Sequence, residues 1–431
     1  MCKGKKIFGK KWIAGVLMFL AAGMLTACAG EPEKIKVEPV KVESYEEEGK
    51  KDASSGAEDG EGAAVGPESM EDNAEADTGA GEISDGAETS VSEEKLKEWF
   101  GENCIVEQTF EVELSEYEGK VYFVPYRPKE DGAEFYMQIV RDGEIMTEIN
   151  SYVPEALQQE RFGSLDAVSF FDLNFDGNTD IVLIETYGDT TFAAVYYGEP
   201  GNEEEGNGFF LAQSQLSEAL TDALDTVSVS ELRTLLTGGK KNGGFSDYQE
   251  AYGAVIRLCE LEESYNAEEY SQELTYDLID FDGDDIPELV AGVPGYYVSL
   301  YTYTGGRVCT LMDKWGYGAM GNAGYEYAPG KNSLRNQNAD YAGAILYTTY
   351  MTMGAEYTME QVVQIVFYNF DDVNGNGIPD EEEQSSIGYY GVTYIDGREV
   401  TAKECEAYDM GGYEFIAGKM SAEDMLAQLG Q

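Results

Sequence analysis

Three short segments of the chain place oxygen-bearing side chains at alternate positions. They are Asp172–Asp180, Asp280–Glu288 and Asp372–Asp380, with the sequences DLNFDGNTD, DFDGDDIPE and DVNGNGIPD. Each has Asp, Asn or Glu at positions 1, 3, 5 and 9, so that alternate side chains of a tight loop converge on one point. A backbone carbonyl at position 7 adds a further oxygen. Ca²⁺ accepts about six to eight oxygens in flexible geometry, whereas Mg²⁺ requires a stricter octahedron, so the spacing favours calcium.

The predicted ligands are carboxylate or amide oxygens, together with the residue at position 7 of each loop. They are Asp172, Asn174, Asp176, Asn178 and Asp180 in loop 1, Asp280, Asp282, Asp284, Ile286 and Glu288 in loop 2, and Asp372, Asn374, Asn376, Ile378, Asp380 and Glu383 in loop 3. Glu383 stands at position 12 of its loop. The alternative that stays open for each loop is an ordinary Asp/Asn/Gly turn between strands.

Position 6 differs among the loops. Gly177 and Gly377 occupy it in loops 1 and 3, where the absence of a Cβ suits a sharp turn. Loop 2 has Asp285 there. Because Asp tolerates a positive φ at some cost, we expect loop 2 to keep the same turn.

The loops require strands on either side to position them. Loop 1 lies between the apolar runs AVSFF and IVLIE, and loop 2 between YDLI and LVAGV. Runs with strand character dominate the rest of the chain from residue 92, with helical patterns around residues 215–236 and 247–260. The sequence therefore predicts an α+β fold that is mainly antiparallel β, with two β-rich domains and flanking helices. Both a β-meander and a propeller-like arrangement remain open.

Glycine-rich residues 237–244 mark the predicted boundary between the domains, which we assign to residues 92–237 and 245–431. Asp142-Gly143 predicts a hairpin turn. Ser246 begins a capping-box pattern ahead of a helix, and Thr401 and Ser421 are predicted to start two short helices near the end of the chain.

The chain begins with a basic and then apolar leader, residues 1–27, which is too short in its apolar part to span a bilayer. The last three residues of the leader and the residue after it, Leu25-Thr-Ala-Cys28, resemble the lipobox of bacterial lipoproteins. That resemblance implies acylation of Cys28 and location on the extracellular face of the bacterial cell membrane. A plain secreted protein is the alternative. Residues 28–91 are acidic and nearly free of large apolar side chains, so we expect a disordered tether.

Composition excludes several classes of protein. The chain has no histidine, which removes Ser-His-Asp and Cys-His nucleophile arrangements and imidazole zinc sites. Without the leader, which holds five of the 28 basic residues and none of the 83 acidic ones, the net charge is 23 − 83 = −60. Such a charge opposes binding to nucleic acid and to anionic lipid, so we expect membrane attachment only through the anchor.

The four cysteines beyond the anchor are Cys104, Cys259, Cys309 and Cys405, which are widely spaced. Their pattern is not that of a disulfide framework. We expect them to be small apolar residues of the core, with a single bridge as the alternative.

Two resemblances extend the calcium hypothesis. Loop 1 with its flanking strands resembles the calcium loops of FG-GAP and VCBS repeats, and loop 3 resembles those of dockerin and thrombospondin type-3 repeats. More broadly, the lipobox, the acidic tether and the segments AVSFFDLNFDGNTDIVLI and YDLIDFDGDDIPELVAG are similar to surface lipoproteins of clostridial anaerobes. The loop starts are separated by 280 − 172 = 108 and 372 − 280 = 92 residues, which departs from the blade period of integrin-type propellers.

These features predict a lipid-anchored extracellular binding or scaffold protein, not an enzyme, whose β-rich domains are stabilised by calcium. Its partner would be a cell-wall or external glycan, or a protein. The first alternative is calcium-dependent carbohydrate binding, suggested by 31 tyrosines and the aromatic residues Trp315, Tyr317, Tyr325 and Tyr327. The second is a glycoside hydrolase with paired carboxylates, for which a cleft holding two carboxylates outside the calcium loops would be required.

Overall fold

The computed structural model describes residues 91–128, 135–201, 208–264, 272–318 and 321–431. The predicted leader, the lipidation site Cys28 and the tether up to residue 90 lie outside these residues. The helices are α1 (Glu93–Phe100), α2 (Ser214–Ala223), α3 (Val229–Thr237), α4 (Tyr248–Glu263), α5 (Ala402–Cys405) and α6 (Ala422–Leu429). Within the described ranges, no helix has the length and apolar character needed to cross a membrane.

The strands in the described part of the chain form four antiparallel sheets, which we call A to D. Sheet A contains β1 (Phe110–Glu113), β2 (Lys120–Tyr126), β3 (Tyr136–Arg141) and β4 (Glu144–Asn150). Sheet B contains β5 (Phe162–Phe171), β6 (Asp180–Tyr187), β7 (Thr190–Glu199) and β8 (Phe209–Ala212). Sheet C contains β9 (Thr275–Ile279), β10 (Glu288–Val293), β11 (Tyr297–Thr304) and β12 (Arg307–Gly316).

Sheet D is the largest, with β13 (Tyr325–Tyr327), β14 (Leu334–Asp340), β15 (Ile345–Met353), β16 (Met359–Tyr368), β17 (Val392–Ile395), β18 (Arg398–Val400) and β19 (Glu414–Phe415). Strands that follow one another in the chain are neighbours in every sheet, except that β19 returns to pair with β13. Each sheet is therefore a meander, and the predicted α+β class with mainly antiparallel strands is confirmed.

The sheets and helices form layers because the central strands bury both faces. In β6, Ile181 and Leu183 pack in a core shared with sheet A, while Val182 and Ile184 face helices α2, α3 and α4. Alternate residues of a strand point to opposite faces, so continuous apolar runs of this kind fit a strand covered on both sides. Strand β10 repeats the arrangement between the helices and sheet D.

Helix α4 lies at the centre of the largest core. Tyr252, Val255 and Ile256 pack there against side chains of both sheet B and sheet C. The predicted domain boundary at residues 237–244 is thus crossed by a continuous core, and the contacts group residues 91–431 in one compact unit. The helix is capped by Asp247, whose side chain accepts a hydrogen bond from the N–H of Glu250. The capping box predicted to begin at Ser246 is wrong by one residue.

Other local predictions are confirmed. Asp142 and Gly143 form the turn between β3 and β4, with φ of 51° and 83°. Thr401 and Ser421 cap α5 and α6. The four cysteines Cys104, Cys259, Cys309 and Cys405 are free thiols. Their predicted burial is confirmed for Cys104 and Cys259, whereas Cys309 and Cys405 are only half-buried.

Candidate metal centre

The three acidic loops each connect two antiparallel strands that pair with each other. Loop 1 joins β5 to β6, loop 2 joins β9 to β10, and loop 3 lies between β16 and β17. In loops 1 and 2 the residue at position 9 is also the first residue of the following strand. The strands therefore fix both ends of these two loops, as the flanking apolar runs predicted.

All three loops make the same pair of side-chain turns. The side-chain oxygen at position 3 accepts the N–H of position 5, and the oxygen at position 5 accepts the N–H of position 7. The N···O distances are 3.2 and 2.7 Å for Asn174 and Asp176, 3.2 and 2.8 Å for Asp282 and Asp284, and 2.9 and 2.8 Å for Asn374 and Asn376. Short polar side chains that bond the backbone two residues ahead hold such turns. These bonds also fix the backbone conformation at position 7, which is Asn178, Ile286 or Ile378. That the carbonyl oxygens of these residues bind the metal stays a prediction.

The backbone is left-handed at positions 4 and 6 in each loop. Asp285 at position 6 of loop 2 has a φ of 71°, as predicted. The left-handed conformation at position 4 was not predicted. The glycines at this position in loops 2 and 3, Gly283 and Gly375, indicate it, and their φ values are 85° and 73°. In loop 1 that position is Phe175, with a φ of 64°. Its ring is buried in the core around α4, and its carbonyl accepts the N–H and Oγ1 of Thr310, which compensates for the backbone strain.

In each loop, a buried carboxylate accepts a hydrogen bond from the backbone near the start of the loop. Asp180 and Glu288 are 0 % exposed and Glu383 is 5 % exposed. Each accepts the N–H of the residue at position 2, with N···O distances of 2.6 Å from Leu173, 2.8 Å from Phe281 and 2.8 Å from Val373. We call these three carboxylates the braces. Loops 1 and 2 take the brace from position 9, whereas loop 3 takes it from position 12.

Loop 2 brings three carboxylates to one point. Oxygens of Asp282, Asp284 and Glu288 lie within 4.8 Å of one another, the only such group of three among the described acidic and cysteine side chains. Oxygens that ligate one Ca²⁺ at about 2.3–2.6 Å can be no farther apart than about twice that distance, so the group fits the ion. Burial and the negative charge of Asp282 raise the pKa of Glu288 to about 7, and burial raises that of Asp282.

Loop 1 contains a buried oxygen without a hydrogen-bond partner. Oδ2 of Asp172 accepts a hydrogen bond of 2.8 Å from Nδ2 of Asn242, but its Oδ1 is buried and accepts none. Burial, with the nearby charge of Asp176, raises the pKa of Asp172 to about 6 and that of Asp180 to about 8. Carboxylates that are desolvated beside one another favour either a proton or a cation.

Loop 3 is the most open of the three loops. Both oxygens of Asp372 accept backbone N–H groups, from Asn376 at 3.1 Å and Gly377 at 3.0 Å. Nδ2 of Asn374 donates to Oδ2 of Asp380 at 2.8 Å. More of the side-chain oxygens in loop 3 than in loop 2 therefore accept hydrogen bonds from residues of their own loop. Glu383 is the brace of this loop, and its oxygens accept the N–H groups of Val373, Asn374 and Asp380. Its predicted role as a metal ligand stays a prediction.

Loops 1 and 2 also join the layers of the fold. Asn242 bonds to Asp172 and, through its amide, to both the N–H and the carbonyl of Val308 in β12. In loop 2, the carbonyls of Asp280 and Phe281 accept the N–H groups of Gly330 and Asn332 in the segment before β14. A cation held in either loop would therefore be linked to contacts between sheets.

A cleft of about 260 Å³ adjoins loop 1 and contains carboxylates outside the loops. Glu262 accepts hydrogen bonds from the Tyr197 hydroxyl at 2.5 Å and pairs with Lys314 at 3.0 Å. Glu199 and Asp313 also line the cleft. Burial raises the pKa of both, and the charge of Asp313 contributes at Glu199.

The aromatic residues that suggested a sugar platform are part of the core. Tyr317, Tyr325 and Tyr327 are buried between sheets C and D, and Trp315 packs against them. This arrangement contradicts their assignment as an exposed sugar-binding surface. The rings fill the space between two sheets because an aromatic side chain buries a large apolar area.

No protein-family model matches this chain, and neither does any curated protein or solved structure.

Proposed function

We propose that this chain is a lipid-anchored protein of the bacterial cell surface whose β-rich region binds Ca²⁺ and serves as an extracellular binding or scaffold module. The observation that carries the proposal is the convergence of Asp282, Asp284 and Glu288 within 4.8 Å. The shared turn geometry of loops 1 and 3 extends it to three sites. The lipid anchor at Cys28 rests on the sequence of the leader.

Calcium would act here as a structural ion. Binding would remove the repulsion among the loop carboxylates, and it would hold loops 1 and 2 in the shape that bonds β12 and the segment before β14. Extracellular calcium sites commonly have Kd values of about 10⁻⁴–10⁻³ M. A ligand that binds only the folded state stabilises it by RT ln(1 + [L]/Kd), which is about 1.4 kcal/mol per site at a concentration ten times the Kd.

Calorimetric titration of the whole chain with CaCl₂ tests the proposal. We use the chain with Cys28→Ala so that no lipid is attached, and we expect binding heat from more than one site. Asp282→Asn with Asp284→Asn removes two charges from loop 2 and should remove one site. The control, Asp189→Asn with Asp225→Asn, changes two exposed residues outside the loops and should leave the number of sites unchanged. Absence of calcium heat in the parent chain would refute the proposal.

A second candidate function is hydrolysis of glycosides in the cleft beside loop 1. The specific observation is that Glu199 and Asp313, which are not loop ligands, line the same cleft and that burial raises the pKa of both. A carboxyl with a raised pKa suits the general acid of a paired-carboxylate mechanism. Release of nitrophenol from a panel of chromogenic glycosides would test it, with Glu199→Gln and Asp313→Asn as the variants. No release by the parent chain, or equal release by the variants, excludes this function.

A further inference from the structure

A groove of about 590 Å³ crosses the face of sheet A that points away from sheet B. Helix α1 covers one part of this face and forms a small core with it. The groove lies beside the covered part and is lined by Trp99 and Phe100 of α1, Tyr122 and Tyr126 of β2, Gln138 of β3 and Ile145 of β4. Its size is within the range of about 300–1,000 Å³ that is usual for small-molecule sites.

One wall of the groove presents an indole ring to solvent. Trp99 is 52 % exposed, although it stands on a helix whose other apolar residues are covered. Its ring meets that of Tyr122 with a centroid distance of 6.0 Å and an interplanar angle of 73°. Phe100 contacts both of these rings, with centroid distances of 5.4 Å to Tyr122 and 6.2 Å to Trp99. The three rings therefore form one aromatic cluster at this wall of the groove, in which Trp99 is the most exposed member.

The groove also contains polar groups in set positions. Gln138 lines it, yet its side chain is only 8 % exposed. Its Nε2 donates to Oε2 of Glu148 at 3.0 Å, which fixes the orientation of the amide. Asp142 lies at the hairpin end of the groove, where the left-handed turn places it. A few oriented polar groups within an otherwise apolar concavity are the usual means by which a site recognises a small polar ligand.

The charge of the residues that line the groove limits the class of ligand that it can bind. Among the described residues that line the groove none is basic, and Asp142 is acidic. An anion such as a phosphate, a sulfated sugar or a uronate would find no cation to pair with among these residues and would be repelled by the carboxylate. A neutral sugar ring, by contrast, has apolar C–H faces for the indole and hydroxyls for the amide and carboxylate.

We propose that this groove, formed by Trp99, Tyr122, Gln138 and Asp142, binds a neutral oligosaccharide. The pyranose face lies against Trp99, and its hydroxyl groups bond to Gln138 and Asp142. The inference rests on the proposed role as an extracellular binding module and names a ligand class for it. It does not require calcium as a ligand, because no residue of the three loops lines the groove.

Fluorine NMR on the whole chain tests the proposal. The chain with Cys28→Ala is labelled with fluorinated tryptophan, which reports on Trp12, Trp99 and Trp315, and Trp99→Phe identifies the relevant signal. It is titrated to millimolar concentration with maltohexaose, cellohexaose, xylohexaose and chitohexaose, and with an oligogalacturonate as the anionic comparison. We expect at least one neutral oligosaccharide to move the Trp99 signal saturably while the Trp315 signal stays in place, with weaker binding of the oligogalacturonate.

Variants then locate the site. Trp99→Ala removes the stacking surface, and Gln138→Leu removes the amide at similar size, so each should weaken binding about tenfold or more, which corresponds to about 1.4 kcal/mol. Tyr389→Ala removes an aromatic ring that is 86 % exposed elsewhere on the surface and should leave the affinity unchanged. Circular dichroism of each variant checks that it is folded.

Several outcomes would overturn the inference. One is that no neutral oligosaccharide moves the Trp99 signal, and another is that the oligogalacturonate binds as well as the neutral sugars. A Trp99 signal that depends on protein concentration alone would assign the groove to a second copy of the chain. A signal that moves when residues 29–90 are deleted would assign it to the chain's own tether. Calcium titration is a separate measurement, so failure here and failure of the metal proposal can be told apart.

Discussion

The backbone N–H of Val373 donates to Oε1 of Glu383 at an N···O distance of 2.8 Å. The acceptor is ten residues farther along the chain, whereas the corresponding braces of loops 1 and 2, Asp180 and Glu288, are seven residues from the N–H that they bind. Two different sequence separations between the donor and the carboxylate therefore give the same hydrogen bond at the start of a loop. What the three loops share is a buried carboxylate that fixes the entry of the loop.

Replacing a brace should destabilise the fold. Glu288→Gln keeps the size of the side chain but can place an NH₂ group against the N–H of Phe281 or the hydroxyl of Thr302, both of which now donate to it. An unsatisfied buried group costs about 1–3 kcal/mol, so we expect the free energy of unfolding to fall by that amount. Urea denaturation measures it. Exposed Glu155→Gln serves as the control, and equal stability of the two variants would contradict the assigned role.

The left-handed conformation at Asp285 predicts a preference among substitutions. A β-branched residue at a φ of 71° is strongly disfavoured, whereas glycine is not. We therefore expect Asp285→Val to be less stable than Asp285→Gly by about 1 kcal/mol or more. Thermal melts of the two variants in excess calcium give the comparison. If valine proves as stable as glycine, the loop does not have this backbone conformation.

The amide of Asn242 should couple loop 1 to sheet C. Asn242→Ala removes hydrogen bonds to Asp172 and to both backbone groups of Val308, and we expect a loss of about 1–3 kcal/mol in the free energy of unfolding. Hydrogen exchange should quicken at the amides of Val308 and Thr310. The control is Asn150→Ala, the same substitution at an exposed position in sheet A. Unchanged exchange at β12 in the Asn242 variant would argue against the coupling.

A buried carboxyl in sheet B predicts how stability depends on pH. Glu185 is on the face of β6 that packs against sheet A and is 0 % exposed, and neither of its oxygens has a hydrogen-bond partner among the described residues. Burial raises its pKa well above the usual 4.5. The folded chain keeps the proton where the unfolded chain releases it, so this contribution to stability is complete below pH 4.5 and is lost as the pH rises above it.

Glu185→Gln removes that titration. From pH 4.5 upward, stability of the parent chain should fall relative to the variant by up to about 1.4 kcal/mol per pH unit, until the folded-state pKa is reached. Urea midpoints measured from pH 4 to pH 8 provide the difference. Parallel curves for the two proteins would mean that Glu185 titrates normally.

Local features of the fold were predictable because they depend on neighbouring residues. The Asp142-Gly143 turn and the caps at Thr401 and Ser421 follow from φ preferences and side chains within a few residues. The alternate oxygens of the loops are local in the same sense. The helix cap at Asp247 shows the limit, because Ser246 and Asp247 both can cap and the packing of Tyr252 and Val255 against two sheets decides which one does.

Features that depend on distant residues could not be predicted in this way. The burial of Tyr317, Tyr325 and Tyr327 results from the stacking of sheet D on sheet C, which no local pattern specifies. The left-handed Phe175 is tolerated because its ring fills the core and its carbonyl meets Thr310, 135 residues away in the chain. The continuity of the core across residues 237–244 likewise depends on where α4 packs.

Thermal unfolding of the whole chain in calcium and in EDTA tests the central claim most directly, namely that the acidic loops hold Ca²⁺ and thereby stabilise the layered fold. The account predicts that EDTA lowers the Tm by several degrees and that added CaCl₂ restores it, with a smaller effect in the chain carrying Asp282→Asn and Asp284→Asn. MgCl₂ at the same concentration should restore less. An identical Tm in calcium and in EDTA would contradict the account.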